Sequence, residues 1–247
     1  MDRTRRSPTG TRGGTMYLTR GLLNPRSRQV GRDLRDPSDL HRTVMSLFPG
    51  DLGDAPRKQC GALHRVDFGN AGQALLVVQS ALEPNLTRLP NGYFIEIDDL
   101  VARYPRVDRL RGDALAAGMT LRFRLKANVT RKIDTKSQGD SKSNGQRVPL
   151  RDDASRIAWL TRKASTSGFE VVPEELTLQP ERQAKGQANR TFSGVRFDGL
   201  LRVVDVDAFR ATLTSGLGPA KAFGFGLLSI MPAANAELYE PITSRAS

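Results

Sequence analysis

LRFRLKANVT, residues 121–130, alternates apolar and polar side chains without a break. Leu121, Phe123, Leu125, Ala127 and Val129 fall on one face; Arg122, Arg124, Lys126, Asn128 and Thr130 fall on the other. A period of two marks a half-buried β-strand, so this segment predicts a sheet with a core on one side and a basic surface on the other. Successive residues on that surface stand roughly 6.6 Å apart, near the phosphate spacing of a nucleic-acid strand.

Outward from this strand, the polar segment TRKIDTKSQGDSKSNGQR (130–147) lacks periodicity and is expected to be mobile without a ligand. The helical run DDASRIAWLTRKAS (152–165) follows, opened by capping acids. TFSGVRFDGLLRVVDV (191–206) then alternates like a strand, VDAFRATLTSG (206–216) reads as a short capped helix, and GFGLLSIM (224–231) returns as a strand. Upstream, MYLTRGLL (16–23) predicts a first strand, bounded by NPRSR. In DPSDLHRTVMSLFPG, Asp36 suits an N-cap and Pro37 the first helical position, Leu40, Val44 and Leu47 recur at helical spacing, and Pro49-Gly50 stops the run. GALHRVDF (61–68) and QALLVVQS (73–80), joined by turn residues 69–72, read as a hairpin; residues 84–118 give no consistent pattern. Strand, helix and strand units recur in both halves, which predicts an α+β fold of two modules, with residues 16–117 and 118–233 as the two domains.

The 247 residues carry 38 Lys and Arg against 26 Asp and Glu, a net charge of +12. That balance points to a polyanionic partner. Residues 1–15, with Arg3, Arg5, Arg6 and Arg12, read as a basic flexible extension without a secretory apolar segment, and residues 234–247 as a tail. Most of the charge therefore belongs to the body. No apolar run approaches the roughly 18 residues of a membrane span, so no membrane partner is expected. Cys60 is the single cysteine and His41 and His64 the only histidines, which excludes an intrachain disulfide framework and a Cys-rich zinc module and disfavours a His-rich metal site, while counting leaves a carboxylate-bound magnesium open; a cytoplasmic location and no cofactor are expected.

Three constellations carry chemistry. Residues 122–147 hold Arg122, Arg124, Lys126, Arg131, Lys132, Lys136, Lys142 and Arg147 against Asp134 and Asp140, a net +6 and half the charge of the chain. A single-sign face with so little compensation favours RNA or DNA over a merely solvated surface. GLGPAKAFGFG (216–226) places Gly216, Gly218, Gly224 and Gly226 around Lys221, where backbone amides can approach a phosphate; a tight turn between helix and strand explains the same glycines equally well. It matches neither G-x-x-x-x-G-K-[ST] nor G-x-G-x-x-G, so nucleotide hydrolysis and dinucleotide chemistry are disfavoured. His41 lies near the start of its helix, where the dipole disfavours a cation and keeps the imidazole neutral, able to accept a proton. A helix-flank histidine without a role fits the position too. His64, inside a strand-like run, reads as structural, and acyl transfer has no support without a G-x-S-x-G elbow or a recognisable setting for Cys60.

Taken in order, MYLTRGLL, DLHRTVMSLFPG, LLVVQS, LRFRLKANVTRK, RVPL, IAWLTRK, FDGLLRV and GLGPAKAFGFGLLSI resemble the CRISPR repeat-processing endoribonucleases of the CasE type, over roughly residues 16–232. The resemblance implies two tandem ferredoxin-like, RRM-related modules that bind the hairpin of a CRISPR repeat transcript and cut at the base of its stem. It further implies metal-independent attack by the neighbouring 2′-hydroxyl, products with 5′-hydroxyl and 2′,3′-cyclic phosphate ends, and a place beside other Cascade subunits. The family's catalytic histidine falls on His41, its groove-binding element on 121–149 and its glycine-rich loop on 216–226. One position departs: where the family often has a tyrosine three residues before the histidine, this chain has Ser38, one helical turn from His41. Tyr17 or a lysine is the other candidate for the second catalytic group. Two rival functions follow, a non-catalytic hairpin-RNA-binding subunit on the same fold and a basic structural DNA-binding protein.

Overall fold

The computed structural model describes residues 16–69, 71–98, 103–110, 114–133, 147–181, 184–186 and 190–233. The basic extension, the C-terminal tail, Lys136 and Lys142 lie outside the described residues, as does most of the polar segment after the central strand.

The first module opens with β1 (Met16–Leu23) and continues into α1 (Arg28–Arg35) and α2 (Pro37–Ser46). The spacing argument picks out α2. Asp36 accepts the Ser38 backbone N–H at 2.8 Å, Pro37 opens the helix, and Leu40, Thr43 and Val44 are buried. α1 was not expected, because it buries Val30 and a polar residue, Asp33, in place of an apolar stripe. Asp33 is satisfied there by the Tyr93 hydroxyl at 2.7 Å and the Gln29 amide at 2.8 Å. A single helical turn, α3 (Pro56–Gln59), leads into β2 (Leu63–Phe68) and β3 (Ala74–Ser80), which form the expected antiparallel hairpin. The unpatterned region supplies short strands: β4 (Phe94–Ile95), β5 (Ile97–Asp98) paired with β6 (Arg103–Tyr104), and β7 (Arg106–Leu110). Strand order is β2-β3-β1-β4, with β7 also on β1. Where a second crossover helix would stand, Leu86–Arg88 form only a 3-10 turn capped by Asn85.

The second module is the fuller copy. β8 (Thr120–Asn128) is followed by β9 (Thr130–Lys132), paired antiparallel with β10 (Arg147–Pro149), and by α4 (Asp153–Ser165). Next come β11 (Phe169–Val171), β12 (Thr177–Pro180), the pair β13 (Ala184–Gly186) and β14 (Arg190–Phe192), β15 (Gly194–Val203), α5 (Val206–Ser215) and β16 (Leu228–Pro232). The order β11-β15-β8-β16 repeats that of the first sheet. The two modules are thus ferredoxin-like units in tandem, each made by pairing two antiparallel hairpin-type ladders around a central first strand. The apolar face of β8 is buried as its alternation predicts, against Trp159, Leu160 and Ala164 of α4 and Phe209 and Leu213 of α5.

Helices cover one face of the first sheet; its other face packs on the second module. Leu63 and Val77 close a small core with Leu227, and the Gln79 amide donates to the Leu213 carbonyl at 2.6 Å. Arg65, 1% exposed, runs through the junction: it meets Asp67 at 2.8 Å and donates to the Leu227 carbonyl at 3.2 Å and the Ser229 hydroxyl at 3.1 Å. A buried arginine survives only with its charge and donors met, and here both are.

Candidate active site and basic cleft

His41, on the second turn of α2, lies against the ring of His64 from β2; the centroids are 6.2 Å apart and the planes 19° from parallel. The two histidines are 23 positions apart in sequence, and only the packing of α2 over β2 unites them. His64 is 1% exposed. Burial, with His41, Lys126 and Arg57 adding to it, pushes its pKa down to about 3. Burial, and then the Arg57 charge, also hold His41 below the ordinary 6.5, so both rings are neutral at pH 7. The sequence placed that effect at the helix dipole; the structure adds desolvation and a guanidinium. His41 Nδ1 and His64 Nε2 are both buried without a hydrogen-bond partner among the described residues.

Ser38 sits half-buried on the same helix, three residues before His41, with its backbone N–H engaged by the cap. Tyr17 is in β1, in register with Ser80 of β3, while His64 in β2 is in register with Val78. That places Tyr17 two strands across and two residues along from His64, about 12 Å away in the sheet. Sequence reasoning missed Arg57 on α3, whose charge acts on both histidines. Its Nη1 donates to the Ala62 carbonyl at 3.2 Å, and the Ala62 N–H returns to the Arg57 carbonyl at 3.1 Å.

The glycine-rich loop is the third component. Lys221–Phe223 form a 3-10 turn that packs on α2 and β2. A side chain at Gly224 would come within 3.7 Å of the His64 ring. Gly216 and Gly226 cross closely, joined by the Leu217 N–H to the Gly226 carbonyl at 2.8 Å; both have positive φ, 76° and 87°, and a Cβ on Gly226 would lie 2.7 Å from the Leu217 oxygen. Gly218 lies against the Trp159 ring, where a Cβ would stand 3.0 Å away. The glycines are required by backbone geometry, so the turn reading holds, and that same geometry brings the loop to the histidines. Burial, followed by the charges of Arg57 and Lys163, lowers the pKa of Lys221.

On its other side the loop borders an open cleft of about 610 Å³, lined by Arg131, Lys132, Arg147, Arg162, Lys163 and Lys221 and, among the described residues, by no acidic side chain. Among the described residues Arg131, Lys132, Arg162, Lys163 and Lys221 make no ion pair, and the Arg147 side chain donates to the Thr130 hydroxyl at 3.3 Å. Arg162 and Lys163, in the last turn of α4, escaped the sequence reading because cations there also suit the helix dipole.

The basic face of β8 turns out differently from its expectation as an open, uncompensated surface. Arg124 meets Asp198 at 2.5 Å and Asp67 at 3.9 Å, and Lys126 pairs with Glu181 and lies 5.8 Å from the Phe225 ring centre. Arg122 is half-buried in a shallow depression shared with Arg124, Asp198 and Ser229. Register explains the change: β15 sets Asp198 directly opposite Arg124, a pairing between distant segments that the alternation of one strand does not contain. Among the described residues, the charge without an ion pair is instead on β9, β10, α4 and the loop. Among the described residues no group of three His, Cys, Asp or Glu side chains could hold a metal ion, and no helix is long and apolar enough to cross a membrane.

Residues 16–232 match a family model described as CRISPR associated protein. The chain is 31% identical over 231 residues to the CRISPR-associated endoribonuclease Cse3 of Thermus thermophilus, covering 88% of this chain and 100% of that one. It is 30% identical over 221 residues to the CRISPR system Cascade subunit CasE of Escherichia coli, with 88% and 100% covered. Among solved structures, Thermus thermophilus Cse3 bound to an RNA representing a pre-cleavage complex superposes with a TM-score of 0.74 at 30% identity, over 88% of this chain and 100% of that one.

Proposed function

Because this chain belongs to the CRISPR-associated protein family, with both its ferredoxin-like modules inside the match, we propose that it is the endoribonuclease that matures CRISPR RNA in its host. It binds the hairpin of the repeat transcript and cuts at the base of the stem. One observation carries the reading: a neutral, half-buried imidazole stands where a glycine-rich loop meets a cleft lined with cations that make no ion pair among the described residues.

Arg131, Lys132, Arg147, Arg162, Lys163 and Lys221 hold the RNA backbone, and the segment between β9 and β10, including Lys136 and Lys142, follows the hairpin groove. Such contacts read shape and phosphate position, as A-form RNA requires. His41 Nε2 takes the proton of the 2′-hydroxyl next to the scissile phosphate. The oxygen attacks phosphorus, the P–O5′ bond breaks, and the 5′-oxygen takes a proton from water. The products carry a 2′,3′-cyclic phosphate and a 5′-hydroxyl. Backbone N–H groups of the loop and the Lys221 ammonium face the charge that builds on the phosphate, and this acid–base and electrostatic chemistry needs no metal. The enzyme then keeps its hairpin product and joins other Cascade subunits in the cytoplasm.

Mapping the ends of the cut repeat hairpin tests this. Cyclic phosphate and 5′-hydroxyl ends are expected; 3′-hydroxyl and 5′-phosphate ends would contradict it. Tight binding without any cut would favour a non-catalytic RNA subunit, with Ser38 in the tyrosine position as the reason.

A further inference from the structure

We propose that Arg57 is the second catalytic group of this site, the cation that faces the non-bridging oxygens of the scissile phosphate as His41 removes the 2′-hydroxyl proton. This deepens the endoribonuclease reading and rests on it. The geometry begins with the α3–β2 corner. Arg57 is half-buried, and its Nη1 is tied to the Ala62 carbonyl at 3.2 Å. Ala62 precedes His64 by two residues and both are buried, so in extended chain they share the helix-facing side of the sheet. His64 stacks on His41. The guanidinium is thereby tied to the chain that carries His64, two residues before it, by a bond that uses one of its five donors.

Its charge is unanswered. Among the described residues Arg57 has no ion pair, in contrast to Arg65, Arg124, Arg156 and Arg196, each of which holds a carboxylate. Its positive charge adds to burial in lowering the pKa values of His41 on α2, His64 on β2 and Lys221 on the loop. A half-buried arginine kept without a counter-ion, beside a neutral imidazole and a second desolvated cation, is built to receive an anion, and its planar fork suits two phosphate oxygens.

In the step itself His41 gains the 2′-hydroxyl proton, the O2′–P bond forms and the P–O5′ bond breaks. Arg57 exchanges no proton and only balances charge on the two non-bridging oxygens.

The test is single-turnover cleavage of the repeat hairpin by Arg57→Gln, Arg57→Lys and His41→Ala across pH 5 to 8, with binding measured on hairpin carrying 2′-deoxyribose at the cut. Glutamine keeps an amide donor for the Ala62 carbonyl while removing the charge. The Arg57→Gln rate constant is expected to fall about 10²- to 10³-fold, with binding changed by less than about tenfold. Removing the charge also releases His41, so the acid limb of the pH–rate profile moves upward by up to about one unit. Lysine restores part of the rate and the original limb. A Gln variant with wild-type rate and an unmoved limb, while His41→Ala is inactive, would overturn the role of Arg57 alone. A loss confined to binding would reduce Arg57 to a phosphate anchor and overturn it too. His41→Ala cutting at the wild-type rate would bring down the site reading, and the Arg57 role with it.

Discussion

Arg65→Met would sever the main polar tie between the modules. The guanidinium side chain is 2% exposed and makes charged bonds of 2.8 and 3.0 Å to the two Asp67 oxygens, and it reaches the second module through Leu227 and Ser229. Methionine fills much of the space and makes none of these bonds. Removing one partner of a buried ion pair costs about 3 to 5 kcal/mol, because the other charge is left in a dry site. Asp67 retains Arg124 at 3.9 Å and is 13% exposed, which places the expected loss near the lower end, about 3 kcal/mol. For a chain of this size that lowers Tm by about 6 to 12 °C. Calorimetry or circular dichroism would measure it, with Arg210→Met as control, since the Arg210–Asp207 pair is exposed at 40% and 95% and its loss leaves Tm nearly unchanged. Cleavage by Arg65→Met should fall even below Tm, because His41 and the glycine-rich loop belong to different modules. A Tm within about 2 °C of wild type would refute the argument that this contact locks the modules together.

Replacing His41 by alanine should slow single-turnover cleavage about 10²- to 10⁴-fold while leaving affinity for uncleavable hairpin nearly intact; equal loss of both would assign it to binding. Stability should decline on acidification. The unfolded chain protonates His41 and His64 near pH 6.5, and the fold, which holds both pKa values lower, binds fewer protons, so its contribution is whole above 6.5 and drains away toward pH 3, the value of His64. His64→Gln should flatten that slope in a pH series of urea melts. Charge reversal at Arg131 or Lys163 should weaken RNA binding and lower the salt slope by about one per lost contact, and an unchanged slope would move the RNA off the cleft. Gly226→Ala meets both a φ of 87° and the Leu217 oxygen, so the loop should shift and cleavage should drop together with Tm.

Most of the architecture was legible because it is written locally. β8 shows its period of two, α2 its cap and its apolar spacing, and the hairpin its turn residues. α1 was invisible because it buries Asp33 by hydrogen bonding to Tyr93, a partner 60 residues away. β11 and β12 are short and unpatterned because they lean on β15 for their register. At the site, His41 and the loop announced themselves by residue type and neighbourhood, whereas His64, Arg57, Arg162 and Lys163 became candidates only once packing set them beside it. The β8 cations show the reverse error. Their density signalled an open surface, yet Asp198, Asp67 and Glu181 answer two of them from strands and loops far away in sequence.

The most direct test of the account is cleavage of the host's repeat hairpin by the purified protein in excess EDTA, beside the same RNA with a single 2′-deoxyribose at the scissile nucleotide. Full cutting of the all-ribose strand and none of the deoxy strand is the predicted result. Cutting of the deoxy strand, or cutting abolished by EDTA, would contradict an internal 2′-hydroxyl attack driven by His41 and the cations around it.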